Sequence, residues 1–378
     1  MDILATKYEI EKFYFDPYQD DETTFQSLKK ENYDVVVLWQ IYPDMELLKS
    51  YVQASQFVFF PMYDSSGGCG SEFWETYQNV KIINFSKTLH EKLLSWGLDS
   101  KYIQYFPKPA EKPIIADEKK IYFWQRINQI NIKTVEKLFK KIGFNEIHIH
   151  KAIDPKHKFV EPSKQINNKI TYSTWYDKKE DMIADIQNAG IYVAPRLYEG
   201  IGMSFLEAMA MGKCVVAPNY PTMNEYISNG ETGILYDIKR LKPLTPFNTQ
   251  KIAQQAYEYI KSGFDRWEKE KFNILTWIEE PIKVDCKKLI KARTAVYRYK
   301  ILGVLPFLTV KKSFQKTGYL LFGVIPFYLL KQKENTRIHA LFSIPFLKIK
   351  LKKGGKNVSY SLFNFVILKI SKKGSPYL

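Results

Sequence analysis

Two glutamates with seven residues between them, Glu199 and Glu207, bracket a glycine turn in the stretch Ile191 to Asp237, IYVAPRLYEGIGMSFLEAMAMGKCVVAPNYPTMNEYISNGETGILYD. Ile191 to Ala194 is an apolar run of strand length, and Gly200 and Gly202 allow a sharp, unobstructed bend. Met203 to Met211 carries the helix formers Leu206, Glu207, Ala208, Met209 and Ala210. A helix N-terminus therefore follows a strand end. Its unpaired N–H groups and the positive end of its dipole make the turn a site for a phosphate or diphosphate. Glu207 lies one turn further in, about 6 Å along the axis, and Glu199 stands on the strand side. An anion site flanked by two hydrogen-bond-accepting carboxylates suits a sugar nucleotide. The diphosphate meets the amides, and the carboxylates take hydroxyls of ribose and sugar.

The pattern EG-x-G-x-x-x-x-E-AMA-x-G-x-x-V, followed by NEYISNG-x-TG, resembles the donor half of retaining GT-B glycosyltransferases of the family-4 type, the glycosyl transferases group 1. Gly202, Ala208, Met209, Ala210, Gly212, Glu225, Gly230 and Gly233 fall where that pattern has them. The resemblance implies an α/β, GT-B fold: two Rossmann-like lobes with parallel sheets facing across a cleft. It implies that Glu199 contacts the donor sugar, that Glu207 binds ribose hydroxyls, and that the amides around Gly200, Gly202, Met203 and Ser204 hold the diphosphate. Family members also carry an Arg and a Lys near the start of the donor lobe to neutralise that diphosphate. Arg126 and Lys133 are the candidates here, at a slightly longer spacing, and a bidentate Arg beside a point-charge Lys is sound phosphate chemistry. The loop Ser173 to Asp177 corresponds to the border of the nucleobase, with Trp175 or Tyr176 available to stack. His148 and His150 share a strand face at i, i+2, but no third ligand is evident. Such enzymes generally need no metal, so no cofactor is expected beyond the donor substrate, a UDP- or GDP-sugar for example.

The elements that must position these residues read in order along the chain. Tyr8 to Phe15 is predicted as an edge strand, and Tyr33 to Trp39, Gln56 to Pro61 and Val80 to Phe85 as buried strands separated by polar, helix-tolerant segments. That alternation predicts βαβ units and an open parallel sheet. Ser86 is placed to cap a helix through Trp96 that Gly97 ends. Ile103 to Phe106 runs into Pro107, Pro109 and Pro113, a natural hinge. The division expected is a first lobe over 1–112, a donor-binding lobe with crossover helices over 113–295, and a tail over 296–378. In the second lobe, strands are expected at Lys120 to Trp124, Glu146 to His150 and Lys169 to Tyr172. Helices are expected from Ile132, over Lys178 to Asn188 and over Asn248 to Trp267, with Lys271 to Glu279 continuing the last. Trp267, Phe272 and Trp277 serve the packing of these final helices.

The start of the chain departs from the family, because Met1 to Tyr8 offers neither an apolar strand nor a glycine-rich loop. The glycine cluster of this half, Asp64-Ser-Ser-Gly-Gly-Cys-Gly-Ser71, follows the strand ending at Pro61, at the carboxyl end where open α/β sheets bind ligands. Asp64 is the candidate acceptor-side base or orienting group.

From Tyr299 onward an aromatic motif recurs at 20, 20 and 21 residues, beginning at Tyr299, Tyr319, His339 and Tyr360. Each copy turns at a Gly, Ser or Asn, and Pro306, Pro326 and Pro345 argue for short hairpins or edge strands. Fifteen lysines and arginines against one acid, Glu334, put +14 of the net +16 in this tail, so the lobes are nearly neutral.

At 378 residues the chain exceeds one typical domain, and 45% hydrophobic residues exclude a disordered chain. Cys69, Cys214 and Cys286 contain no CxxC pair and suggest a reducing compartment. No secretory signal is visible, and the longest uncharged apolar run, Tyr319 to Leu330, is 12 residues, too short to span a bilayer. The expectation is a cytoplasmic enzyme of bacterial surface polysaccharide synthesis (lipopolysaccharide, capsule or teichoic precursors). Its partners are a nucleotide sugar, a glycan or lipid-linked glycan acceptor and, through 299–378, the anionic inner face of the cytoplasmic membrane. A GT-B sugar-nucleotide epimerase and a basic membrane-surface or nucleic-acid-binding protein on a non-catalytic scaffold are the rivals. The first lacks the two-glutamate context, and the second ignores residues 191 to 237, so no nucleic-acid partner is expected.

Overall fold

In the computed structural model, the residues described are 2–15, 21–26, 28, 32–285, 288, 295–301, 305–313, 316–321, 325–333, 336–341, 344–351, 357–362 and 365–371. Cys286 and the turn positions Gly303, Gly323, Ser343 and Asn364 lie outside them. Two short helices, α1 (Asp2–Ala5) and α2 (Asp21–Gln26), open the chain. The segment 9–15 is not a strand, which corrects the expectation for Tyr8 to Phe15. Its residues are mostly exposed, and the first sheet begins at the next apolar run.

That sheet is β1 (Asn32–Trp39), β2 (Gln53–Phe60), β3 (Lys81–Asn84) and β4 (Ser100–Tyr102), parallel and in that order. Between its strands run α3 (Met45–Tyr51), α4 (Tyr63–Ser66), α5 (Ser71–Glu75) and α6 (Lys87–Ser95). Ile103 to Phe106 lies beyond the last strand, with Phe106 buried against Tyr226 and Tyr259. The proline stretch after it is pinned to the second lobe. Ala110 N donates to Ala210 O at 3.0 Å, Ile114 N to Met211 O at 3.0 Å, and Tyr257 Oη to Ala110 O at 2.7 Å.

The second sheet takes β5 (Asp117–Trp124), α7 (Ile132–Leu138), β6 (Glu146–His150), β7 (Ile170–Ser173), α8 (Lys179–Gln187), β8 (Ala189–Val193), α9 (Met203–Ala210), β9 (Cys214–Pro218), α10 (Met223–Tyr226) and β10 (Ile234–Tyr236). Its six strands are all parallel, in the order β10-β9-β8-β5-β6-β7. Every residue of β8 and β9 is buried, as strands covered on both faces require. The fold is thus α/β with two parallel-sheet, Rossmann-like lobes.

Helix α11 (Thr249–Glu270) buries Ile252, Ala256, Ile260, Gly263 and Trp267 along one stripe. Gly263 is required there, since a Cβ would lie 2.2 Å from the Phe106 ring. Helix α12 (Asn273–Glu279) is separate and packs on β2, while Lys7 and Lys101 pair with Glu279 (2.6 Å) and Glu280 (3.0 Å). Trp267 and Trp277 pack as expected, but Phe272 is 47% exposed because it falls in the bend between the two helices. The lobes are also joined by Glu225 of α10. It accepts from Ser86 Oγ (2.9 Å), Lys87 N (2.7 Å) and Thr88 N (3.0 Å), placing a carboxylate at the N-terminus of α6 beside the expected Ser86 cap to Leu89 N.

The chain divides into two compact units, and residues 284–378 belong to the second. There β11 (Ala295–Ile301), β12 (Leu305–Ser313), β13 (Lys316–Leu321), β14 (Ile325–Lys333), β15 (Thr336–Leu341), β16 (Ile344–Leu351), β17 (Asn357–Leu362) and β18 (Phe365–Ser371) form one antiparallel sheet in sequence order. The repeat is legible in its register: Tyr299, Tyr319, His339 and Tyr360 pair with Leu308, Tyr328, Leu347 and Leu368, and the register slips immediately after each. Pro306, Pro326 and Pro345 sit at the first three of these bulges, which is how strands interior to the sheet accommodate a residue without an N–H. Tyr328 Oη is hydrogen-bonded to His339 Nδ1 at 2.5 Å across β14 and β15. Among the described residues no helix is long and apolar enough to cross a membrane. Cys214 is buried, its thiol pushed up to about 12 by desolvation, and Cys69 is half-buried.

Candidate donor-binding site

The turn between β8 and α9 is built around Gly202, which serves as N-cap at φ +84. A Cβ at this position would lie 2.0 Å from the Phe205 ring, so the left-handed backbone and the packing beneath it both demand glycine. No side chain caps the helix, and its first turn presents Met203, half exposed, and Ser204. Gly200 is less tightly enclosed, with the Met62 side chain 2.9 Å from where a Cβ would stand.

Glu199 is 9% exposed. Burial pushes its carboxyl up to about 7; Arg196 and Arg126 draw it down, and Asp64 and Asp154 push it further up. Those four residues form one network. Arg126 donates from Nη2 and Nε to Asp154 Oδ1 at 2.8 and 3.0 Å, with its guanidinium 4.2 Å from the Trp124 ring. Arg196 donates from Nη2 to Asp154 Oδ2 at 2.6 Å and reaches Asp64 Oδ2 from Nη1 at 3.4 Å. Burial raises the Asp154 carboxyl, but its bonds to the two arginines outweigh that and hold it below the usual carboxylate range. Arg196 and Asp154 escape a reading of the sequence, because the partners of Arg196 lie 42 and 132 residues away and those of Asp154 lie 28 and 42 away. The one local signal was a cation three residues before Glu199.

The other candidates fall as follows. Glu207, on the second turn of α9, is paired with Lys179 at 2.6 Å, which contacts it from the start of α8. Lys133 is not drawn into the Asp154 network. It lies in the first turn of α7, within the capping box of Asn131 and Thr134, and its ammonium is 3.4 Å from Glu136 on the same helix. Asp64 stands in the first turn of α4, beside the Arg196 guanidinium. Tyr176 stacks on His150, ring centroids 4.4 Å apart, and its hydroxyl is held by Asp185 and Ser173, each at 2.6 Å. His148 bonds Thr171 and Ser173 and lies 3.1 Å from Asp185, so both histidines belong to this polar network; burial pushes His150 down to about 4. Trp175, next in the loop, is 77% exposed. Among the described residues no group of three or more His, Cys, Asp or Glu is placed to hold a metal ion.

No curated protein matches the chain. Similar solved structures include a glycosyltransferase from Rickettsia africae (15% identity, 73% of this chain and 87% of that one, TM-score 0.47) and a sucrose-phosphate synthase from Thermosynechococcus elongatus (14%, 64% and 72%, TM-score 0.46). TarM is similar at 14% identity over 65% of this chain, which spans only 55% of TarM's length, with a TM-score of 0.46. Residues 110–244 match the family model of glycosyl transferases group 1. That span contains Arg126, Asp154, Arg196 and both glutamates of the turn, so the second lobe carries a glycosyl transferases group 1 domain.

Proposed function

We propose that the chain is a retaining glycosyltransferase that moves a sugar from a nucleotide-diphosphate donor to a glycan or lipid-linked glycan acceptor in bacterial surface polysaccharide synthesis. The observation that carries this reading is Glu199, buried on the glycine turn before an uncapped helix end and acted on by the charges of two arginines that share Asp154, within the group 1 domain. In this reading the diphosphate lies on the α9 amides and the guanidiniums, Glu199 faces the sugar, and Glu207 accepts from the ribose hydroxyls in place of Lys179. The bond from the anomeric carbon to the diphosphate breaks as the acceptor oxygen adds on the same face. The bond's electron pair leaves with the diphosphate, one of whose oxygens takes the acceptor's proton. Stabilising that leaving charge is the protein's main contribution. The basic C-terminal sheet holds the enzyme at an anionic membrane, where lipid-linked acceptors reside.

The test is a panel of UDP-, GDP- and ADP-sugars incubated with bacterial glycolipid extract, read for free nucleoside diphosphate and for the product's anomeric configuration by NMR. Release that needs both donor and acceptor, with the configuration kept, is expected. Inversion would overturn the retaining mechanism, and a changed sugar without acceptor dependence would favour an epimerase.

A further inference from the structure

The diphosphate of a nucleotide sugar needs more than one cation; the sequence offers Arg126 with Lys133 for the pair, and the structure adds Arg126 with Arg196. We infer that Arg196, not Lys133, is the second cation of the diphosphate site, and that Asp154 is the positioning residue that holds the two guanidiniums side by side. The inference rests on the donor-binding reading of the turn.

Two guanidiniums brought together repel, and a carboxylate between them removes that cost when each oxygen serves one arginine. Asp154 is used in this way, Oδ1 by Arg126 and Oδ2 by Arg196. The trio keeps one net positive charge. Among the described residues Arg126 Nη1 and Arg196 Nε have no hydrogen-bond partner, and Arg196 Nη1 is engaged only at 3.4 Å, beyond good hydrogen-bond length. Their side chains are 21% and 29% exposed, open enough to receive a ligand and shielded enough for charge to matter. Arg196 stands in the loop between β8 and α9, three residues before Glu199, Asp154 ties Arg126 to it, and both guanidinium charges act on the buried Glu199 carboxyl. Lys133 has none of these features: it is 47% exposed and pairs with Glu136 one turn along its own helix.

The rival explanation is that Arg196 merely ties α4 of the first lobe to the second through Asp64. The two are separated by titrating the full-length chain calorimetrically with UDP, GDP and ADP, then repeating the tightest with its monophosphate and nucleoside. Arg196→Ala is expected to weaken the diphosphate by about ten- to hundredfold and the nucleoside by less than about twofold. Arg196→Lys should recover only part of the loss, because a point charge does not replace the fork. Lys133→Ala should cost the diphosphate less than about threefold, the scale of a screened surface charge. Asp154→Asn should lose the preference for diphosphate over nucleoside while nucleoside affinity holds, and Asp154→Glu should restore part of it. A Lys133→Ala loss as large as that of Arg196→Ala, or Arg196→Ala and Arg196→Lys losses equal for diphosphate and nucleoside, would overturn the inference. A wild-type chain that bound no diphosphate would remove the proposed function along with it, whereas full binding by Arg196→Ala would remove this assignment alone.

Discussion

Both lobes end a parallel strand in a loop that starts a helix, yet the two loops carry opposite chemistry. In the first lobe β2 leads into the four-residue α4, whose first turn holds Asp64. The nearby cation, Lys92, donates to the carbonyls of Gly67 and Cys69 at 2.6 and 3.0 Å, and the N–H groups of Gly67 and Cys69 bond back to Tyr63 and Ser66. In the second lobe β8 leads, through a loop that holds Arg196 and the buried Glu199, into the eight-residue α9 with an uncapped end, and Asp154 holds Arg126 beside Arg196. One strand end suits an anion, and the other offers a carboxylate to a neutral hydroxyl. Topology alone puts ligands at both; the side chains decide which ligand, as function lives in the site rather than in the fold.

If the second lobe handles the donor, removing acceptor delivery should leave it untouched. A chain ending before Tyr299 should keep nucleotide affinity but leave anionic vesicles and lose activity on a lipid-linked acceptor. Each Lys or Arg near such a surface contributes about 1 kcal/mol, so four or five acting together change partitioning on the order of a thousandfold. Equal pelleting of both chains with vesicles would sink the anchor.

Next in size is Glu199→Gln, which should lower turnover about a hundredfold, as for loss of a charged hydrogen bond made to the reacting sugar, and shift nucleoside diphosphate affinity by less than about threefold. A fall in both together would move Glu199 to the nucleotide. The same variant has a stability signature. The folded carboxyl binds its proton more tightly than the unfolded one, so its contribution is complete below the ordinary value of 4.5 and lost as pH rises through about 7. Glu199→Gln should therefore match the wild type near pH 4 and exceed its stability by about 3 kcal/mol near pH 8, read from urea melts at both pH values.

The donor turn was legible in the sequence because its causes are local. Gly202 must be left-handed, Met203 onward must be helical, and the glutamates follow from the spacing on that frame. The parallel strands were legible as apolar runs. The arginine network was not, because Asp154 sits in an irregular loop whose partners come from the loops after β5 and after β8. Nor was the pairing of Glu207 with Lys179, whose meeting depends on how α8 lies against α9. In the tail, the prolines argued for short hairpins or edge strands; consecutive strands do pair antiparallel, but a bulge admits the prolines to interior strands, and register does not show in composition. The run at 8–15 has strand-like residues but forms no strand.

Glu207→Ala tests the donor side of the comparison more gently. It removes a ribose acceptor and releases Lys179, and donor affinity should fall about tenfold, with turnover falling alongside. Lys179→Ala separates the two contributions: because Lys179 is 56% exposed, its pair with Glu207 is worth little, and the affinity should change by less than about threefold. Unchanged binding in Glu207→Ala would exclude that residue from the site.

The smallest effect is expected where the two loops meet. Asp64→Asn keeps the shape of the side chain and removes the charge that faces Arg196 at 3.4 Å. Since both side chains are about a quarter exposed, the lost ion pair should cost stability no more than about 1 kcal/mol. Arg196 would then be less engaged across the lobes, so nucleoside diphosphate affinity should hold or improve by up to about threefold. Turnover should nevertheless fall, by about three- to tenfold, with the loss appearing in the acceptor's KM or in kcat at saturating donor, because a neutral amide orients an acceptor hydroxyl less well than a carboxylate. Weaker donor binding with turnover otherwise intact would place Asp64 on the donor side and erase the contrast between the lobes. An unchanged rate with tighter nucleotide binding would leave Asp64 as no more than a counter-charge for Arg196.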